Sequence, residues 1–344
     1  MIPRVYFVPD AYREPTFVSS NALTILAGVD LPAHNAERLT AAFPEHRFVF
    51  ASHDDVFDQL GIADVVLAWG LPPARTAEAT NLKWLQTVSA GVDRIDHAEL
   101  KRRGILVTNS SGIHAINIAE HVLSMMFSFA RRLPDFLDSQ RQELWNEFNR
   151  PTVNVGPPVF ELTGQTLFVV GMGRIGEALA KRAKALDMNV VGTVRRSGKV
   201  RSAHVDDVIL QSELASRIGE ADHVAICLPL TNETRGLFDA TMLGSMKDGS
   251  LIYNIGRGSI IDQSALYAEL TSGRLGGAGL DVTDPEPLPA GNELWKLGNV
   301  IITPHVSGYS PKLWDRGVEL WIENIRRFTN GDELLNLVDL DAQY

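Results

Sequence analysis

Three side chains with the chemistry of a proton donor, its partner and an anion clamp occur late in the sequence, each in a short run. Arg257 lies in Asn254-Ile255-Gly256-Arg257-Gly258, Glu286 in Leu280-Asp281-Val282-Thr283-Asp284-Pro285-Glu286-Pro287, and His305 in Thr303-Pro304-His305-Val306-Ser307-Gly308. A histidine titrates near neutrality, so it can give and take a proton at physiological pH. A carboxylate on its other ring nitrogen fixes the tautomer and stabilises the imidazolium. A guanidinium grips a carboxylate through two parallel hydrogen bonds and polarises a neighbouring carbonyl. Each residue alone has a bland explanation: a core or surface histidine, an ordinary salt bridge, a turn glutamate. Together, near the ends of three successive expected strands, they suit hydride transfer at the carbon beside a carboxylate. That implies a 2-oxo or 2-hydroxy acid as substrate.

A cofactor cradle precedes them. Gly171-Met172-Gly173-Arg174-Ile175-Gly176 follows the apolar run Leu167-Phe168-Val169-Val170 and opens a helical stretch over 175–186. In that context Gly171 permits a tight turn, Gly173 lets a pyrophosphate approach the backbone, and Gly176 packs helix on sheet. The helix start offers unpaired N–H groups and a positive dipole end. An NAD site carries an acid about twenty residues on. Here the sequence runs Thr193-Val194-Arg195-Arg196-Ser197, with Lys199 and Arg201 close by. Guanidinium groups suit a phosphate dianion, and no carboxylate is there to reject one. NADP(H) is therefore the expected cofactor, with NAD(H) as second choice.

The elements that must position these groups read as short apolar strands alternating with amphipathic stretches, the pattern of parallel sheets covered by helices. Strands are expected over 23–27, 47–50, 65–69, 85–88 and 105–108, with helices over 33–42 and 97–103. A long helix over 116–132 should stop before Pro134. Six further strands follow over 166–170, 189–194, 224–228, 251–255, 278–282 and 300–303. The stretch 311–330 places Trp314, Val318, Trp321 and Ile325 at helical spacing. The fold class is α/β with two doubly wound domains, a Rossmann cofactor domain inserted into a flavodoxin-like substrate domain. Residues 1–110 with 306–344 form the substrate domain and 111–305 the cofactor domain. The chain then crosses an interdomain cleft near 110 and 305, and a site at such a cleft can be closed by hinge motion.

Bulk properties narrow the partners. The chain has 344 residues, 22% charged, with a formal net charge of −10, which disfavours nucleic acid and anionic membranes. No stretch reaches the ~18–20 apolar residues a bilayer requires, and the first twenty residues lack an apolar secretory segment. The single cysteine, Cys227, sits in an apolar strand and allows no intrachain disulfide. A cytoplasmic location is expected. The nine histidines show no metal-site spacing, so no metal is expected. His114 and His121, seven apart on the long helix, read as packing or solvent-facing.

These motifs, in this order and spacing, resemble the D-isomer-specific 2-hydroxyacid dehydrogenases over nearly the whole chain. The matching phrases also include Ser89-Ala90-Gly91-Val92-Asp93, Ala119-Glu120-His121 and Leu228-Pro229-Leu230-Thr231-Asn232-Glu233-Thr234. The resemblance implies His305 as general acid in reduction, Glu286 as its partner and Arg257 on the substrate carboxylate. It implies that the loop Ala90, Gly91, Val92 gives N–H groups to that carboxylate and that Asp281 sits near the nicotinamide carboxamide. Leu228, Pro229, Thr234, Ile255, Gly256, Ser307 and Gly308 fall in phrases that line the cofactor in such proteins. A homodimer through the cofactor domain is implied as well. The Ser-Ala-Gly-Val-Asp and Val-Arg-Arg-Ser segments look most like NADPH-using glyoxylate/hydroxypyruvate reductases. Thr283 stands where many members carry an aromatic residue, and the segment 147–160 is longer and richer in proline than in the family. Formate dehydrogenases of similar sequence carry glutamine in place of the carboxylate, which Glu286 opposes. Phosphite oxidation and a dinucleotide-sensing, corepressor-like role are the alternatives.

Overall fold

A computed structural model describes residues 22–53, 55–145, 158–196 and 202–344. Ser197, Lys199, Arg201 and most of the 147–160 segment lie outside these residues. The described chain forms two compact units. The first takes residues 22–88, Ala98–Ser110 and Trp314–Val338; the second takes Ser89–His97, Ser111–Leu313 and Asp339–Tyr344.

In the first unit the elements are β1 (Thr24–Gly28), α1 (Ala33–Ala42), β2 (Arg47–Ala51), β3 (Val65–Ala68), β4 (Trp84–Thr87), α2 (His97–Arg102) and β5 (Leu106–Thr108). The five strands are parallel in the order β2-β1-β3-β4-β5, the flavodoxin-like arrangement. Helices cover both faces of such a sheet, so its central strands are uninterrupted buried runs; β3 and β4 are buried throughout. The late helix (Leu313–Asn330) seals one face with Val318, Trp321, Ile325 and Phe328, a stripe at helical period.

In the second unit the elements are α3 (Ala115–Ala130), α4 (Leu133–Arg141), β6 (Thr166–Val170), α5 (Arg174–Lys184), β7 (Asn189–Val194), β8 (Asp207–Leu210), α6 (Leu214–Arg217), β9 (His223–Ile226), α7 (Ala240–Gly244), β10 (Leu251–Asn254), α8 (Gln263–Thr271), β11 (Gly277–Leu280) and β12 (Val300–Ile302); the late helix is α9. The parallel order β12-β11-β10-β9-β6-β7-β8 is that of a Rossmann domain with an added strand. The chain is thus α/β with two doubly wound parallel sheets. Two details differ from the sequence expectation. The second sheet has seven strands, not six: β8 is an edge strand of four residues with only Ile209 buried, too short and too exposed to stand out as a pattern. Pro134 does not end helical structure. The chain turns at Arg132 (φ 52°) and restarts with Pro134 in the first turn of α4, where its missing N–H costs nothing.

The core of the second unit holds a buried imidazole. His223 is fully buried, with Nδ1 3.1 Å from Tyr253 Oη and Nε2 2.5 Å from Gln165 Oε1. Burial pushes its pKa down to about 4 from an ordinary 6.5, so the folded protein keeps it neutral. The unfolded chain protonates it below pH 6.5, and there the unfolded state binds the extra proton. Stability is therefore full above pH 6.5 and falls as pH drops toward 4, by about 3 kcal/mol in all. The lowered carboxyls Asp206 and Asp222 act below their ordinary 3.8, outside this window. Urea unfolding at pH 7.5 and 4.5 should show the loss, and His223→Gln, which cannot titrate, should reduce it; His97, whose pKa burial also lowers, contributes to what remains. An equal slope in both proteins would refute this assignment.

Candidate active site

The candidate side chains Arg257, Glu286 and His305 follow carboxyl ends of strands in the second unit, where open α/β sheets bind ligands. β10, β11 and β12 are neighbours, with Asn254 opposite Leu280 and Leu280 opposite Ile302. Arg257 lies three residues past β10, Glu286 six past β11, and His305 three past β12. Parallel strands in register put Arg257 and His305, 48 positions apart in sequence, at the same end of one sheet.

His305 Nδ1 is 2.9 Å from Glu286 Oε2. Glu286 is itself fixed, because its Oε1 accepts the Thr283 N–H at 3.1 Å. With Nδ1 taken by Glu286, Nε2 of the half-exposed imidazole has no partner among the described residues. His305 adopts φ 53°, a left-handed conformation uncommon for a histidine. The flanking backbone holds it there: the His305 N–H donates to Asp281 O at 2.9 Å and Thr303 O at 3.0 Å. The Asp281 carboxylate is buried and accepts from Thr303 Oγ1 (2.6 Å), Val306 N–H (2.9 Å) and Ser307 N–H (3.1 Å). Burial opposes its ionisation, but these donors outweigh burial and hold its pKa below the ordinary value.

One face of α3 braces the same loop. His121 Nε2 lies 2.9 Å from Thr303 Oγ1, Asn117 Nδ2 donates to Ser307 O at 2.8 Å, and His114 Nδ1 lies 3.1 Å from Gly308 O. From the sequence His114 and His121 read as packing or solvent-facing; in the structure both contact the segment after β12. Their positions with Asn117, at i, i+3 and i+7, define one helix face.

Arg257 is anchored on two sides. Its Nε and Nη2 both donate to Asp93 Oδ1, at 3.1 and 2.9 Å, and Nη1 donates to Gly256 O at 2.8 Å. Of the five guanidinium N–H groups, two are left without a partner among the described residues. Burial works against the Asp93 charge, yet the Arg257 charge and hydrogen bonds outweigh it and lower the carboxyl's pKa. Buried Asn254 shapes the turn that presents Arg257, accepting from Gly256 N–H at 3.0 Å and donating to Arg257 O at 2.9 Å. The loop Ala90-Gly91-Val92 is packed against the guanidinium: a Cβ at Gly91 would lie 2.2 Å from Arg257 Nη2. A larger residue there would push the guanidinium aside.

At the end of β6 the glycine turn meets α5. A Cβ at Gly176 would fall 2.3 Å from Gly171 O, so helix and turn touch backbone to backbone. Gly173 is the residue before α5; no side chain caps the helix and nothing lies within 4 Å of where its Cβ would be. Exposed Arg174 and half-buried Ile175 open the helix. Open space in front of uncapped N–H groups fits a dinucleotide pyrophosphate. The segment after β9 supplies buried Leu228, with Pro229 beside it. Thr234 turns its hydroxyl inward, donating to Pro229 O at 2.7 Å, and so shapes this loop from within. Ile255 and Gly256 are buried between β10 and Arg257. Where an NAD site would carry an acid, β7 runs into half-buried Arg195 and exposed Arg196. Among the described residues no cluster of histidine, cysteine, aspartate or glutamate could hold a metal ion.

Known proteins are similar to this chain in sequence and in fold. Residues 123–307 match the family pattern described as D-isomer specific 2-hydroxyacid dehydrogenase, NAD binding domain. The chain is 35% identical over 266 residues to a glyoxylate reductase of Korarchaeum cryptofilum, covering 77% of this chain and 78% of that one. It is 33% identical over 264 residues to a D-3-phosphoglycerate dehydrogenase of Archaeoglobus fulgidus, covering 77% of this chain but 48%, about half, of that longer protein. Among solved structures, a D-isomer specific 2-hydroxyacid dehydrogenase from Xanthobacter autotrophicus in complex with NADPH and MES superimposes with a TM-score of 0.77. It is 30% identical, covering 95% of this chain and all of that one.

Proposed function

From a chain that belongs to the D-isomer specific 2-hydroxyacid dehydrogenase family, and so is an NAD(P)-dependent oxidoreductase acting on CH–OH groups, we propose an NADPH-preferring reductase. Its substrate is a 2-oxo acid of the glyoxylate or hydroxypyruvate type, converted reversibly to the D-2-hydroxy acid. The observation that carries this reading is the His305–Glu286 pair at 2.9 Å, one strand away from an arginine with two N–H groups to spare. When bound, the nicotinamide supplies the hydride to the carbonyl carbon. Arg257 holds the carboxylate, assisted by N–H groups of Ala90, Gly91 and Val92, and orients the carbonyl. As charge develops on the carbonyl oxygen, His305 Nε2 delivers a proton to it. Glu286 stabilises the imidazolium before transfer and recovers a correctly oriented neutral ring after it. Gly171, Gly173 and Gly176 admit the pyrophosphate, and Arg195 with Arg196 hold the adenosine 2′-phosphate.

Support for the cofactor choice is the pair of arginines in place of an acid. Support for the substrate type is the similarity to a glyoxylate reductase; the match to D-3-phosphoglycerate dehydrogenases makes 3-phosphohydroxypyruvate the competitor to measure. The test is oxidation of NADPH and of NADH followed at 340 nm with glyoxylate, hydroxypyruvate, pyruvate and 3-phosphohydroxypyruvate. NADPH should give the higher kcat/KM by at least about tenfold, the order expected of one charge-assisted contact of about 1.5–3 kcal/mol. Preference for NADH would reject the cofactor assignment, and turnover of none of these acids would reject the substrate class.

A further inference from the structure

We propose that Tyr344 is a positioning residue of the cofactor site: its ring holds the Arg195 guanidinium in place to receive the adenosine 2′-phosphate of NADPH. The proposal rests on the NADPH reading above and adds to it a segment far from the glycine fingerprint in sequence. The guanidinium carbon of Arg195 lies 4.7 Å from the centroid of the Tyr344 ring, well within cation–π distance. A cation–π contact holds the guanidinium by its charge and takes up no hydrogen-bond acceptor, so a phosphate can still engage two of its N–H groups at once. Glu233 Oε2 stands 3.9 Å from Arg195 Nη1 and is largely exposed, an ion pair too long and too solvated to compete strongly.

The tyrosine is itself built into the second unit. The Asp339 N–H donates to Tyr344 O at 3.0 Å and the Gln343 N–H to Asp339 O at 2.8 Å. Asp339 Oδ1 accepts from the Asp341 and Ala342 N–H groups, each at 3.0 Å. This closed turn is pinned to the loop after β9, where Gln343 Oε1 accepts the Asn232 N–H at 3.2 Å. β7 and β9 are the two neighbours of β6, so Asp339–Tyr344 bridges the strand ends on either side of the glycine turn. Burial raises the Tyr344 hydroxyl's pKa although Arg195 and Arg196 pull it down, so the ring brings no negative charge toward a phosphate at neutral pH.

The experiment is isothermal titration calorimetry with adenosine 2′,5′-bisphosphate and with 5′-AMP on wild type, Tyr344→Ala, Tyr344→Phe and Arg195→Ala, beside steady-state kinetics with NADPH. Tyr344→Ala should weaken the bisphosphate roughly three- to fivefold and leave 5′-AMP unchanged, which also controls for folding. Tyr344→Phe should match wild type, because the ring suffices. The KM for NADPH should rise by the same factor at unchanged kcat. Wild-type affinity for the bisphosphate in Tyr344→Ala, with Arg195→Ala impaired, would overturn the role of Tyr344 and spare the NADPH reading. Equal weakening of both nucleotides would also overturn it, since that is loss of structure. A wild type that binds both nucleotides alike would overturn the NADPH reading and this proposal together.

Discussion

Replacing His305 by asparagine is expected to lower kcat for 2-oxo acid reduction by about 10²- to 10⁴-fold, the usual worth of a positioned general acid. Asparagine is the informative choice because His305 adopts φ 53°, and asparagine tolerates that region better than alanine. The loop should keep its shape, since Val306 and Ser307 remain tied to Asp281 and Thr303 to His121. Calorimetric affinity for NADPH should therefore change by less than about twofold, within the spread expected of a surface change. Glu286→Gln should cost less in kcat, because an amide oxygen can still accept from Nδ1–H but does not stabilise an imidazolium as a carboxylate does. A loss under about tenfold in His305→Asn would remove this histidine from the acid's role; such a loss in cofactor affinity would make it structural.

What the sequence disclosed and what it hid follow from how local each signal is. The glycine turn, Arg257 and His305 announce themselves because strand end, turn residues and functional side chain occupy one short phrase. The same is true of β1, β3 and β6, whose buried runs are read directly as parallel strands. β8 stayed hidden because an edge strand with one buried side chain has no periodicity to see. α4 stayed hidden because a proline in the first turn of a helix looks the same in sequence as one that ends a helix. Asp93 and Tyr344 were passed over for another reason. Their partners, Arg257 and Arg195, lie 164 and 149 residues away in sequence, and no local pattern encodes a pairing across that span. His114, Asn117 and His121 fall between these cases: the helix face was legible, but the loop it braces was not.

The Arg257–Asp93 pair leads to the second large effect. Arg257→Ala should lower kcat/KM for glyoxylate by roughly 10²- to 10³-fold, the range for removing one partner of a hydrogen-bonded charge pair. Arg257→Lys should recover little of this. A lysine carries the charge but not the planar fork, and one ammonium cannot replace Nε and Nη2 on Asp93, Nη1 on Gly256 O and a bidentate grip on substrate together. In Arg257→Ala the Asp93 carboxylate also loses its guanidinium partner, so wherever it stays ionised a carboxylate substrate meets an unpaired anion instead of a clamp. That repulsion is absent for an uncharged carbonyl. Glycolaldehyde, however poor a substrate, should be reduced by wild type and Arg257→Ala at rates within about tenfold of each other, because neither the clamp nor the exposed Asp93 charge acts on it. Parallel losses on glyoxylate and glycolaldehyde would mean that Arg257 supports the fold of the site and does not bind the carboxylate. A loss confined to the acid would place the guanidinium on the substrate, with Asp93 as the group that aims it.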